Sequence, residues 1–230
     1  MSTELLTSWQ LTGQDDSHLQ KLASGELLQA EAANAWLQLR QLARRDGIEL
    51  VAVSSYRSFE RQAQIWQQKC NGSRPVLNQQ QQALDIQQLS GWDKLEAILL
   101  YSALPGTSRH HWGTELDVMD QAALPAGYQL QLVPSEYQPG GVFAHLAAWL
   151  DRHAAEAGFF LPYRKYCGGV AAEPWHLSYQ PLAHACLKQL SLDTVRQALL
   201  RQPIAEQSLV LTKLPEIFQR YVQTICEPAA

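Results

Sequence analysis

Two short polar clusters, about sixty residues apart, contain the residue types of a hydrolytic metal site. Residues 108–117 read Ser-Arg-His-His-Trp-Gly-Thr-Glu-Leu-Asp, and residues 173–176 read Glu-Pro-Trp-His. Together they supply two imidazoles and one carboxylate that could hold a zinc ion, and a second carboxylate beside the last histidine. A catalytic zinc site needs three protein ligands, an open fourth position for water and a nearby general base. The sequence therefore predicts metal-assisted hydrolysis.

The first cluster is expected to join a loop to a strand. His110 and Asp117 are seven residues apart, so they cannot both lie on one face of a single strand, whose side chains alternate. We therefore place His110 on the preceding loop. On the strand, Glu115 and Asp117 share one face, whereas Leu116 and Val118 point to the other. An acidic face that is buried requires a cation or hydrogen bonds. The alternative is that these residues are ordinary exposed polar groups.

The second cluster is also expected where a loop enters a strand. Pro174 argues against the interior of a helix, and the Leu-Ser-Tyr sequence after His176 is typical of a strand. Two such junctions in one small sheet can converge at its edge. The competing interpretation is a surface Glu173 and a core tryptophan with a neighbouring histidine. His111 could also replace His110 as a ligand.

Two charged side chains have the chemistry to assist such a metal. Glu173, beside the open site, could take a proton from the attacking water and pass it to the leaving amine. Arg57 follows a predicted buried strand, and its guanidinium keeps its charge at any working pH. We expect it to lie where negative charge grows on the tetrahedral intermediate.

The remaining pattern predicts an α+β protein: a small, mainly antiparallel sheet that carries the zinc site, flanked by helices, with a helical C-terminal extension. Strands are predicted at residues 48–54, 114–119, 128–133 and 176–180. Helices are predicted at residues 26–47, 58–70, 80–101, 142–157, 182–201 and 214–226, with breaks near 90–91 and 191. We expect one domain over residues 1–230, comprising a core at about 48–182, a helical N-terminal segment at 1–47 and a helical extension at 183–230, which we assign to packing or to a partner surface.

The composition excludes several classes of protein. An apolar share of 46% and a charged share of 17% suit a globular protein with a real core. The net charge of −4 gives no reason to expect nucleic acid or an anionic membrane as a partner, and no apolar run could span a bilayer. The N-terminus lacks the pattern of a secretory signal, so we expect a cytoplasmic protein, or one whose export signal lies outside this sequence. Four widely spaced cysteines do not form a cysteine zinc site.

Three motifs in order resemble the VanY-type D-alanyl-D-alanine carboxypeptidases and their dipeptidase relatives. They are Ser-Tyr-Arg-Ser at residues 55–58 with Gln62 behind it, Ser-x-His-x-x-Gly-x-x-x-Asp at residues 108–117, and Glu-x-Trp-His at residues 173–176. The resemblance covers roughly residues 50–180. Any one motif alone would be weak evidence, whereas the three together are specific.

The resemblance implies the fold shared by lysostaphin-type peptidases, D-Ala-D-Ala peptidases and the hedgehog signalling domain, with zinc at the centre of a small antiparallel sheet. It also implies a role for each matching residue: His110, Asp117 and His176 as zinc ligands, Glu173 as catalytic base, Arg57 as the group that polarises the scissile carbonyl, and Ser108 in substrate binding. The implied substrate is a peptidoglycan-derived peptide. The chain departs from the family at Glu115, where a small residue is usual. This acid either influences the metal by contacting its ligands or faces solvent.

The leading functional prediction is a zinc carboxypeptidase that removes the terminal D-alanine from peptidoglycan stem peptides or from D-Ala-D-Ala. An L,D-carboxypeptidase or an endopeptidase acting on the same polymer is a close alternative, because pocket shape decides between them. A non-catalytic zinc domain would be expected to lack Glu173 or Arg57, and both are present. A non-haem iron oxygenase also uses two histidines and a carboxylate, but its first two ligands are usually two residues apart. The segment 67–104, which looks long for a minimal enzyme, could narrow the cleft.

Overall fold

The computed structural model describes residues 5–228, which form a mixed helical and antiparallel structure. The strands are β1 (Gln20–Lys21), β2 (Leu27–Leu28), β3 (Leu50–Ser54), β4 (Val76–Leu77), β5 (Ala83–Leu84), β6 (Glu115–Asp120), β7 (Phe159–Phe160) and β8 (His176–Tyr179). The α-helices are α1 (Ser8–Leu11), α2 (Ala30–Arg45), α3 (Phe59–Cys70), α4 (Gly91–Leu99), α5 (Ala144–His153), α6 (Gln180–Gln189), α7 (Leu192–Arg201) and α8 (Gln207–Ile217). Within residues 5–228, no helix is both long enough and apolar enough to cross a membrane.

Four strands form the main sheet, in the order β3-β6-β8-β7 with every neighbouring pair antiparallel. In the β6–β8 pair, Asp117 lies opposite His176 and Glu115 lies opposite Ser178. Because side chains alternate along a strand, these four polar residues occupy one face of the sheet. The intervening pair, Leu116 opposite Leu177, points to the other face.

The apolar face of the sheet is covered by α2 and α5. Its side chains belong to a buried cluster with residues of these two helices: Leu50, Leu116, Val118 and Leu177 of the sheet, Trp36 and Leu39 of α2, and Leu146 and Trp149 of α5. Each such side chain contributes about 1.5–3 kcal/mol by leaving water. This burial fixes which face of β6 and β8 is turned toward the polar cluster.

A second buried cluster joins α3 and α4 to the C-terminal helices. Phe59 and Trp66 of α3 share it with Leu199 of α7 and Leu214 of α8. The indole N–H of Trp66 also donates a hydrogen bond of 2.9 Å to the carbonyl oxygen of Ala205. The C-terminal extension thus takes part in packing, one of the two roles expected of it.

Several predicted elements are confirmed. The strand at β3 and the helix at α3 lie where the pattern placed them, and the Ser58 side chain caps α3 by accepting a hydrogen bond from the Arg61 N–H. The helix break near residue 191 separates α6 from α7. The α+β class with a small antiparallel sheet is also confirmed.

The predicted strand at residues 128–133 is wrong, because this segment is irregular. The Glu136 carboxylate accepts hydrogen bonds from the backbone N–H groups of Gln131 and Val133. A side chain therefore satisfies donors that a neighbouring strand would otherwise satisfy. Leu132 adopts a φ of +52°, which a regular strand does not allow.

The predicted helix at residues 80–101 is also wrong over its first half. The chain instead forms a hairpin of β4 and β5, and α4 begins only at Gly91. The side-chain oxygen of Asn78 accepts hydrogen bonds from the N–H groups of Gln80 and Gln82, which makes the turn between the two strands. Periodicity could not reveal this local side-chain bond.

The terminal segments differ from their predictions in detail. The N-terminal segment is only partly helical, because β1 and β2 form a hairpin between α1 and α2. The last helix begins at Gln207 rather than residue 214, and a π-helical turn (Phe218–Gln223) follows it. Residues 1–4 and 229–230, the outer ends of both predicted segments, lie outside the described residues.

Two adjacent leucines test whether α7 belongs to the cooperative core. Leu199 is fully buried and Leu200 is 55% exposed. We expect Leu199→Ala to lower the free energy of unfolding by about 2–5 kcal/mol, because it leaves a cavity among packed side chains. Leu200→Ala should change it by no more than about 0.5 kcal/mol. Urea unfolding followed by circular dichroism measures both values. Equal effects of the two variants would contradict the packing described for this helix.

Candidate metal centre and active site

Three predicted ligands converge on one point. One donor atom each from His110, Asp117 and His176 lies within 4.8 Å of the other two, and all three residues are buried. The Nε2 atom of His110 is 3.3 Å from Oδ2 of Asp117, and Nδ1 of His176 is 3.1 Å from Oδ1 of the same carboxylate. Two nitrogens and one carboxylate thus face a shared space, as in a catalytic zinc site with three protein ligands.

The fold explains how distant residues meet. Asp117 and His176 are cross-strand partners on β6 and β8, so their side chains leave the same face. His110 lies on the 3₁₀ turn Arg109–Trp112 that leads into β6. Gly113 ends this turn with a φ of +69°, and a Cβ there would overlap the Leu19 side chain. As expected, His110 therefore approaches from a loop, and the backbone conformation at the end of this loop strongly favours glycine.

The outer nitrogen of each histidine ring is held by a hydrogen-bond acceptor. Nδ1 of His110 lies 2.7 Å from the carbonyl oxygen of Ser55, and Nε2 of His176 lies 2.8 Å from Oε2 of Glu115. Because a carbonyl or carboxylate oxygen only accepts, the outer nitrogen must donate its proton. The inner nitrogen of each ring then faces Asp117 as a potential ligand. This arrangement matches the supporting contacts of metal-binding histidines.

The electrostatics of the centre favour a positive charge between the ligands. Burial alone would lower the pKa of His176, but hydrogen bonds to Asp117 and Glu115 raise it to about 9. Burial would raise the pKa of Asp117, but the neighbouring histidine rings lower it below its usual range. The pocket thus stabilises a cation in contact with these carboxylates, a role that a divalent metal can fill.

Glu115 is the functional residue whose position the sequence left open, and it does not face solvent. Its carboxylate is fully buried, accepts a hydrogen bond of 2.8 Å from the Ser178 hydroxyl, and pairs with the Arg109 guanidinium at 3.3 Å. Burial would raise its pKa, but the Arg109 charge and the His176 hydrogen bond lower it to about 2. Glu115 therefore orients the His176 ring as a charged acceptor. Its shared face with Asp117 was the one available signal.

Glu173 lies beside the inner nitrogen of His176. Its Oε2 atom is 3.6 Å from that nitrogen, and the backbone turns here because the His176 N–H donates to the Glu173 carbonyl at 3.0 Å. Burial raises the pKa of the Glu173 carboxyl to about 7, an effect that the His176 and Arg57 charges oppose. A carboxyl group that exchanges its proton near neutral pH has the property required of a general base and acid.

Arg57 also lies beside the ligands. Its guanidinium donates to Oε1 of Gln62 at 3.0 Å and to the Ser54 hydroxyl at 3.1 Å, and it approaches Asp117 at 3.6 Å. Gln62, whose role the sequence did not reveal, donates in turn to the carbonyl oxygen of Ala103 at 2.7 Å. These contacts hold the guanidinium at the cleft beside the ligand set.

His111, the alternative ligand, points away from the centre. Its Nδ1 lies 2.6 Å from the carbonyl oxygen of Arg57, and its Nε2 accepts the N–H of Gly106 at 3.1 Å. Burial lowers its pKa to about 3, so the ring is neutral. It ties the loop of Arg57 to the turn of His110 and offers no nitrogen to a metal.

A cleft of about 380 Å3 opens above these residues. Ser108 lies in its wall and is buried, next to the proposed ligands. The segment 67–104, which was expected to narrow the cleft, supplies several of the residues that line it. Its contribution comprises Lys69, Arg74, Pro75, Leu77, Tyr101, Ser102 and Ala103. The structure therefore brings every predicted site residue to one cleft.

Comparisons with known proteins agree with this geometry. The family model described as VanY, D-alanyl-D-alanine carboxypeptidase, matches residues 25–182. A Haemophilus influenzae protein without an assigned function is 38% identical over 121 residues, which cover 52% of this chain and 92% of that protein. A D-alanyl-D-alanine carboxypeptidase of Enterococcus faecalis is 26% identical over 172 residues, which cover 74% of this chain but only 54% of that protein.

Two solved structures share the fold. VanYB in complex with D-alanine-D-alanine superposes with a TM-score of 0.53 at 23% identity, covering 82% of this chain and 91% of that one. A mutant of the D,D-pentapeptidase VanY from a VanB-type resistance cassette, in complex with Zn(II), gives 0.51 at 21% identity, covering 84% and 88%. The matched region of the family model includes both clusters of site residues. This chain belongs to the VanY family of D-alanyl-D-alanine carboxypeptidases.

Proposed function

We propose that this protein is a zinc-dependent carboxypeptidase that removes the terminal D-alanine from peptidoglycan stem peptides or from D-Ala-D-Ala. The observation that carries the proposal is the convergence of His110, Asp117 and His176 within 4.8 Å, with the Glu173 carboxylate 3.6 Å from His176. Membership of the VanY family supports the substrate class. The D-alanine-D-alanine complex of VanYB, which shares the fold, is consistent with it.

The donor set fits zinc. His110 and His176 would each supply a ring nitrogen and Asp117 a carboxylate oxygen, a combination of nitrogen and oxygen ligands that zinc accepts. Ser55 and Glu115 already hold the outer nitrogens, so the rings need no rearrangement to bind an ion. Zinc bound there supplies Lewis acidity that polarises a carbonyl group and lowers the pKa of a water molecule.

The protein's own residues account for the proton transfers of peptide hydrolysis. The Glu173 carboxylate takes a proton from the attacking water while the oxygen of that water bonds to the carbonyl carbon. The same proton then passes to the leaving amine as the carbon–nitrogen bond breaks. The guanidinium of Arg57 lies beside the ligands, where it stabilises the negative charge that grows on the carbonyl oxygen. Ser108, in the wall of the cleft, is positioned to contact the bound peptide.

The presence of both Glu173 and Arg57 in one cleft argues against a non-catalytic binding domain, which needs neither group. The choice between a D,D-carboxypeptidase and an L,D-carboxypeptidase or endopeptidase depends on which peptide bond the cleft presents to Glu173. We favour the D,D-carboxypeptidase on the description of the matching family.

The first prediction concerns the metal and the product together. The purified protein should release D-alanine from a pentapeptide ending in D-Ala-D-Ala, lose this activity with a chelator, and regain it with zinc. His176→Ala should lose both the activity and the bound zinc, because it removes a ligand. His184→Ala removes an exposed histidine and should change neither. Mass spectrometry of the products and elemental analysis of the protein provide the measurements.

Cleavage of a tetrapeptide with a single terminal D-alanine, in preference to the pentapeptide, would replace the proposed D,D-specificity with the L,D-alternative. Cleavage between longer peptides would identify an endopeptidase. Iron rather than zinc in the active protein would contradict the proposed cofactor.

The second prediction separates catalysis from metal binding. Glu173→Gln should keep the zinc content but lower kcat about 10²–10⁴-fold, because the amide cannot accept the proton from water. The matched control is Glu31→Gln, which changes an exposed carboxylate on α2 and should leave kcat unchanged. Near-normal turnover by Glu173→Gln would remove Glu173 from the mechanism.

The third prediction concerns the carboxylate behind the metal site. Glu115→Gln should weaken zinc binding about 10–100-fold, because the neutral amide is a poorer acceptor for the His176 ring. It also leaves Arg109 buried without a counter-charge, which should lower stability by about 3–5 kcal/mol. Competition with a chromophoric chelator measures the affinity, at a temperature where the variant is folded.

Glu136→Gln is the control for the loss of a buried carboxylate. Glu136 is buried at 5% exposure and holds the backbone of residues 131–133. Its variant should lose stability and keep its affinity for zinc. Unchanged zinc affinity in Glu115→Gln would show that Glu115 has only a structural role.

A further inference from the structure

Lys69 is a buried cation in the cleft. It lies in the last turn of α3, it is only 7% exposed, and it lines the same cleft as the candidate metal ligands. Among residues 5–228, no carboxylate lies within 4.0 Å of its ammonium group and no side chain or carbonyl accepts a hydrogen bond from it. The ammonium group is not fully enclosed and faces the cleft, and a largely buried ammonium group without a partner carries a desolvation penalty. Such a group therefore suggests a partner that arrives from outside the protein.

Two other lysines have carboxylate partners. Lys94 pairs with Glu206 at 2.8 Å, and Lys213 pairs with Glu216 at 3.0 Å, although both lysines are more exposed than Lys69. These two more exposed ammonium groups, which water can solvate, thus have carboxylate partners, whereas that of Lys69 has none within residues 5–228. The other lysines without an ion pair among the described residues, Lys21, Lys165 and Lys188, are exposed, so only Lys69 combines burial with the lack of a carboxylate partner.

The surroundings of Lys69 increase the positive charge on this wall. Arg74 lines the cleft at its exposed rim, and within the described residues it has no ion-pair partner. Burial, together with the charges of Arg74 and Arg57, lowers the pKa of Lys69 to about 8, whereas Glu173 opposes the shift from beyond ion-pairing distance. Arg57 is already engaged with Asp117. Lys69 and Arg74 are therefore the cations on this wall that remain available to an anion.

We propose that Lys69 is a specificity-determining residue that binds a carboxylate of the peptide substrate, with Arg74 attracting the same group at the rim. The inference rests on the proposed peptidase function and names the substrate group that Lys69 recognises, a carboxylate near the scissile bond. A peptide can offer that group at its C-terminus or on a side chain before the bond. Both sources share the same chemistry, a charge-assisted hydrogen bond to the ammonium group.

The alternative role for Lys69 is structural. A lysine can cover apolar surface with its methylene chain while its ammonium group reaches water in the cleft. In that case, removal of the charge alters folding or leaves all substrates equally affected. A substrate-binding role instead makes the effect of the variant depend on the charge of the peptide.

The experiment compares the wild-type protein and Lys69→Met on three peptides: one with a free C-terminus, one with a C-terminal amide, and one with its side-chain carboxylate replaced by a neutral group. We expect Lys69→Met to raise KM about 10–100-fold with little change in kcat on the first peptide. The effect should vanish on whichever modified peptide lacks the recognised carboxylate. Lys69→Arg, which keeps the charge, should recover most of the loss, and Lys188→Met, at an exposed lysine on α6, should behave as wild type.

A binding measurement distinguishes failure of this inference from failure of the proposed function. Calorimetry with zinc-loaded Glu173→Gln, with and without Lys69→Met, reports peptide affinity without any turnover. Weaker binding of the charged peptide after loss of Lys69 supports the inference even if no hydrolysis is ever detected. Equal KM values for the wild type and Lys69→Met, or an equal loss on all three peptides, would overturn it.

Discussion

The register between β6 and β8 is the constraint on which the site depends. It places Asp117 opposite His176 and Glu115 opposite Ser178, while Leu116 and Leu177 enter the core. A shift by one residue would turn the acidic and histidine side chains toward α2 and α5 and expose the leucines in the cleft. Burial of the apolar face thus selects the arrangement that assembles the metal ligands. One face of this strand pair therefore builds the core, and the other face builds the site.

Buried charge at the centre is balanced by contacts that do not involve substrate. Glu115 is paired with Arg109, whose guanidinium also lies 4.8 Å from the centre of the Trp112 ring. Glu115 of this ion pair accepts a hydrogen bond from His176, and the carbonyl oxygen of Ser55 accepts one from His110. The hydroxyl of Ser178 links the two charges, because it accepts a hydrogen bond of 2.6 Å from Nη2 of Arg109 and donates one of 2.8 Å to Glu115. Nη1 of Arg109 is buried and has no hydrogen-bond partner among the described residues. The ligands are therefore oriented by the protein, and their geometry does not depend on metal binding alone.

The strand face that carries Asp117 and the two loop-to-strand junctions could be predicted from the sequence, because period-two alternation is a local signal, whereas the roles of the site residues were implied by the resemblance to the VanY family. Asp117, His176 and the capped start of α3 could all be placed from neighbouring residues. The irregular segment at 128–133 could not, because the Glu136 side chain replaces a strand partner there. The support of His176 by Glu115 likewise depends on a contact between residues 61 positions apart. Lys69 resembled an ordinary basic residue in the last turn of a helix, where cations are common, and only the tertiary structure shows its burial.

The candidate metal ligands and the residues proposed to recognise the substrate come from different parts of the fold. The sheet and the turn that leads into β6 supply the ligands, whereas α3 and the segment after it supply Lys69 and Arg74. Phe59 and Trp66, on the same helix as Lys69, are packed among the C-terminal helices, with the Trp66 indole bonded to the backbone of that extension. The extension lies outside the matched family region and contains no candidate catalytic residue. The extension nevertheless packs against α3, so under the proposed role of Lys69 a segment without candidate catalytic residues positions the helix that recognises the substrate.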